Sequence, residues 1–99
     1  MKTLKQNYAT KFDGMTDAEL ERELIAQKDI LSYEMRHGGY VEGHTARVNN
    51  IEARIGAIES LQALRQSERY TAQAVATGAM TKELAAMIVD NLKENAYGK

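Results

Sequence analysis

The most regular pattern in the chain is a stripe at Val41, His44, Val48, Ile51, Ile55 and Ile58. Its steps of 3, 4, 3, 4 and 3 form the seam of a helix that packs in coiled-coil fashion. This predicts a helix that starts between Val41 and Thr45. Past Ile58 the seam slips, because Leu61 and Leu64 follow at steps of three. Such a drift changes the buried face or hands the contact to a different partner. The helix is expected over 45–77, with 67–71 as the place of any break and Gly78 as its stop. A run of that length would be about 50 Å long at 1.5 Å per residue.

A second helix is predicted over 16–37. Thr16-Asp17-Ala18-Glu19 has the form of a capping box, and Met15 with Leu20 can form the hydrophobic staple around it. Asp17 and Glu19 suit the positive end of the helix dipole. Leu20, Leu24, Leu31 and Met35 keep helical spacing, with Gln27 and Lys28 at the intermediate contact point. Ile25 and Ile30 widen the apolar face. Gly38 is expected past the last turn in a left-handed conformation. A third helix is expected over 81–95, capped by Thr81, with Leu84, Ile88 and Leu92 on one face and 97–99 frayed. Residues 1–15 are expected to hold a short helix or a disordered arm. Thr3 to Gln6 fits a capping pattern, and Leu4, Tyr8 and Phe12 fall at steps of four. Alone, such a helix is too short to persist in water, so it needs a surface to dock on.

These elements predict a single all-α domain: an antiparallel helical hairpin with a third C-terminal helix, as a small bundle or a coiled-coil-like dimer. Two helices alone bury too little to offset the entropy of ordering them. Further helical layers must come from the C-terminal helix and from a second copy of the chain, so a homodimer is expected.

Composition narrows the chemistry. The chain has 99 residues, with no proline and no cysteine. An average chain of this size would carry about five prolines, so long uninterrupted elements are expected. Without cysteine there is no disulfide framework and no thiolate zinc site. No apolar run reaches signal-peptide or membrane-span length, so a cytoplasmic protein with no membrane partner is expected. Lys plus Arg number 13 against 14 Asp plus Glu, whereas proteins that grip nucleic acid by its phosphates usually carry a basic excess. No Gly-x-Ser-x-Gly elbow and no phosphate loop occurs. The chain is therefore not expected to be an enzyme or to need a cofactor.

The stretch RHGGYVEGH, residues 36–44, crowds glycine, histidine and an aromatic together. As a metal site it is weak. His37 and His44, with Glu34 and Glu42 near, lack close, fixed ligand spacing, and three glycines lend mobility where a site needs rigidity. As a turn it accounts for every residue, with Tyr40 and Val41 capping the bundle end and His44 a partly buried seam contact. Arg36, His37, Tyr40, His44 and Arg47 also make this tip a candidate partner-binding site, since Tyr, His and Arg serve as interface anchors. Leu61, Leu64, Tyr70 and Val75 lie beyond the regular seam and are expected to form a second binding face.

The function expected is that of a small interaction protein, an adaptor or inhibitor that occludes or recruits another protein. Short helical chains of this style, free of proline and cysteine, are common among bacterial and phage accessory proteins. The rival expectation is a nucleic-acid-binding regulator. It would use a helix-turn-helix-like region at 71–92, or the basic N-terminus with Lys2, Lys5 and Lys11 around Tyr8 and Phe12.

Overall fold

The helix starts are built as their sequences dictate. Thr16 accepts from the Glu19 N–H at 3.1 Å, and Glu19 Oε1 accepts from the Thr16 N–H at 2.9 Å. Thr3 and Gln6 close the same reciprocal box at the first helix, and Thr81 accepts from the Leu84 N–H at 3.2 Å. The computed structural model describes residues 1–98. It is all-α, with α1 over Leu4–Phe12, α2 over Asp17–His37, α3 over His44–Ala76 and α4 over Lys82–Tyr97. Helix α3 runs through 67–71 without a break and ends in a Schellman turn. There Gly78 is left-handed at φ 79°, and the Ala79 N–H donates back to the Ala74 carbonyl at 2.8 Å.

Helix α3 is the spine. Each of the other three packs on it. Asp17 at the start of α2 meets Arg65 and Arg69, and Glu34 near its end meets His44 and Arg47, so α2 runs antiparallel to α3. The α2 residues turned inward are Leu20, Leu24, Gln27 and Glu34, with Leu31 half-buried. Met35, expected on this face, is exposed, and Glu34 takes its place. Gln27 takes the intermediate position, while Lys28 points to solvent. Gln27 Nε2 donates to Glu23 Oε1 at 2.8 Å.

The slip in the α3 stripe has a structural meaning. Each step of three falls about 60° short of a full turn. From Ile58 through Leu61 to Leu64 the buried line therefore swings by about 120° around the helix. Ile51 and Ile58 belong to the seam with α2. Ala57, Ile58 and Leu61 join Ala9 and Phe12 of α1 and Leu20 and Leu24 of α2 in one core. Beyond it, Thr71 and Val75 lie along α4. The contact is handed from one helix of the same chain to the next. Leu61 at 1% exposure and Leu64 at 3% are core residues. The expectation that they form an exposed binding face is corrected, because α1 and α4 cover the surface they turn toward.

Helix α1 is docked. Tyr8 and Phe12 stack at 5.8 Å, the Tyr8 hydroxyl donates to Asn50 Oδ1 at 3.1 Å, and the Arg54 guanidinium lies 5.1 Å from the Tyr8 ring centre. The two aromatics that made the N-terminus a candidate stacking surface thus face the core. Helix α4 continues two residues past the expected end. Tyr97 packs against the core instead of fraying, and burial there pushes its phenol pKa up. Lys99 lies outside the described residues.

Ile58 is fully buried, whereas Ile25 is 53% exposed. Ile58→Ala should lower unfolding free energy by about 2–4 kcal/mol, and Ile25→Ala by about 0.5 kcal/mol or less. Urea titrations followed by circular dichroism would check both.

Candidate functional site

The tip where α2 turns into α3 is organised around one carboxylate. Glu34 sits on the last full turn of α2, and its side chain is only 12% exposed. Its Oε1 accepts from Arg47 Nε at 2.7 Å and pairs with His44 Nδ1 at 3.0 Å. His44 and Arg47 are three apart on the first turn of α3, so they share one face of it. The rest of the Arg47 guanidinium binds the loop. Nη1 donates to the Glu42 carbonyl at 2.6 Å, and Nη2 to the Val41 carbonyl at 3.3 Å and the Gly38 carbonyl at 3.5 Å. One arginine therefore holds both the end of α2 and the backbone of the loop.

This latch replaces an ordinary cap. No side chain caps the start of α3, where Gly43 stands at φ 85° in the left-handed region. Gly38 does not take the left-handed conformation expected of it; its φ is −94°. Its lack of a side chain matters for space instead. A Cβ there would run into the Glu34 carboxylate. That carboxylate could swing away only by releasing His44 and Arg47.

The nine residues expected to bind a partner fall in three places. Arg36, His37, Tyr40, His44 and Arg47 gather at the tip. Leu61 and Leu64 are in the core. Tyr70 is exposed and Val75 half-buried toward the other end of α3. Within the tip the roles divide. His44 and Arg47 hold the loop, while Arg36, His37 and Tyr40 point outward. Arg36 Nε donates to the Ser32 carbonyl at 3.3 Å, and the His37 ring tilts against Tyr33 at 4.7 Å. Tyr40 is as exposed as a side chain can be, at 106%, and Val41 is exposed beside it. They do not cap the bundle end as expected. Arg47 satisfies the loop backbone from within, so the loop needs no apolar plug.

No family model matches the chain, and it matches no curated protein and no solved structure. The sequence places Glu34 only beside a weak metal site and Met35 on the packed face of α2, so the latch role of Glu34 and the exposed Tyr33 and Met35 at the tip were not foreseen. The available signal was the spacing of Glu34 from Leu20, Leu24, Gln27 and Leu31, which continues their 4, 3, 4 rhythm with a further step of three.

The hydrogen bond from His44, and after it that from Arg47, holds the Glu34 carboxyl below the ordinary glutamate range. A depressed carboxyl contributes stability in full above its unfolded pKa of about 4.3 and loses it as pH falls through the lower folded value. Protection factors for amides 38–44 should therefore fall as pH drops below about 4, while Glu34→Gln should show no such step. Gly38→Ala should cost about 1–3 kcal/mol by overpacking, and Gly39→Ala, with open space around it, should change little. In a Glu34→Ala background the Gly38→Ala penalty should shrink, which thermal melts of the four variants would reveal.

Proposed function

We propose that the chain is a small non-enzymatic interaction module, an adaptor or inhibitor of the accessory kind found in bacteria and phages. It binds another protein through the tip of the α2–α3 hairpin and so recruits or occludes it. One observation supports this: the tip carries exposed apolar and aromatic side chains on a backbone that is already pinned. Tyr33, Met35, Tyr40 and Val41 are all more than half exposed, while Glu34, His44 and Arg47 lock the loop beneath them. A loop held in place before binding loses less conformational entropy on complex formation. Tyrosine and arginine beside it are the residue types that carry binding energy. The same reading includes self-association of the chain, for which α4, only partly covered by α3, is the support.

Capture from a host lysate tests the tip. The wild-type chain should retain a defined protein, identified by mass. Met35→Ser with Tyr40→Ser should lose that protein while circular dichroism and melting temperature stay unchanged. The reading is wrong if nothing is retained beyond a tag-only control, or if the tip variant retains the same protein equally well.

A further inference from the structure

Helix α4 has more apolar surface than the chain covers. Among the described residues of α4 only Ala96 is fully buried. On the side turned along the C-terminal part of α3, Ala85 and Val89 are half-buried and Ala86 is exposed. Between α4 and the C-terminal part of α3 runs an open groove. Its apolar lining is small, with Ala72 and Val75 from α3 and Ala85, Ala86 and Val89 from α4, and the charged Glu68, Lys82, Asp90 and Lys93 also border it. Small side chains let another helix approach closely, toward the short end of the 8–10 Å interaxial range.

Three residues on the α4 side of this groove form a ridge of spacing four: Lys82, Ala86 and Asp90. The ridge reads base, small, acid. Read in the opposite direction it is acid, small, base, so it is complementary to itself when two copies run antiparallel. Lys82 and Asp90 are eight residues apart, about 12 Å along the helix, so they cannot pair within one chain. Among the described residues neither forms an ion pair with any other group.

We infer that the groove is occupied by α4 of a second copy of this chain, across a two-fold axis at Ala86, with Lys82 of each copy facing Asp90 of the other. This rests on the self-association in the reading above and adds its face and register. A two-fold contact presents the same patch on both partners, and a self-complementary ridge meets that condition. The contact crosses two helices of 16 residues each. It therefore lies at the small end of specific interfaces and dissociates on dilution.

Sedimentation velocity on the full chain tests this, with Lys82→Asp, Asp90→Lys and the double exchange beside the wild type. Both positions are exposed, so circular dichroism should show an unchanged fold. The wild type should shift from monomer to dimer as concentration rises, and less so at high salt. Each single exchange places like charges at both pairs and should weaken the dimer about tenfold. The double exchange should restore it. A one-to-one mixture of the two single variants should dimerise better than either alone, because one copy then carries two acids and the other two bases. A monomer throughout overturns both the register and the self-association. A dimer indifferent to the single exchanges, or not restored in the double variant and the mixture, overturns the register and leaves self-association by another face.

Discussion

The fold depends on one helix being able to bury different faces along its length. Helix α3 has 33 residues, and no neighbour in the chain is long enough to cover it. Its apolar line first follows the seam with α2, then turns through Leu61 and Leu64 toward α1 and α4. Had the 3–4 rhythm of Val48 to Ile58 continued, the next apolar residues would have fallen at 62 and 65, where Gln62 and Arg65 face α2. Docking α1 and α4 would then have buried nothing comparable. The change of step is what lets one helix hold three others.

The polar contacts follow the same division. Along the α2–α3 seam, Asp17 holds Arg65 and Arg69 at one end, and Glu34 holds His44 and Arg47 at the other. The first pair of contacts is open to water and contributes little. The second is sheltered, and the same guanidinium also satisfies three loop carbonyls. The Gly38 and Val41 carbonyls also accept backbone N–H groups of the turn, so the arginine adds ties to a loop that is already partly bonded to itself. Those ties restrain a loop whose three glycines would otherwise leave it conformationally free.

Local chemistry was readable in advance. The boxes at Thr3 and Thr16, the cap at Thr81 and the stop at Gly78 each involve residues within a few positions of one another, so spacing alone reveals them. The all-α class follows from the same periodicity. Distant partners were not readable. Leu61 and Leu64 look like a spare face until α1 and α4 are seen to cover it. The tie from Arg47 to Glu34 spans 13 residues and involves a carboxylate that sequence alone marks as one acid among six on an acidic helix. Gly38 showed the same limit: its identity is set by the room Glu34 needs and not by its own backbone angle.

The uninterrupted run of α3 gives the molecule a long axis of 56 Å against 29 and 19 Å across. The aromatic tip sits at one end of that axis and the groove beside α4 at the other. With no hinge in between, the helix is a strut: whatever is held at one end stands a fixed distance from whatever is held at the other. Occupying one end leaves the other free. Two copies joined at their α4 ends would present two tips on one rigid frame, and the gain in avidity would go to targets whose own spacing matches it.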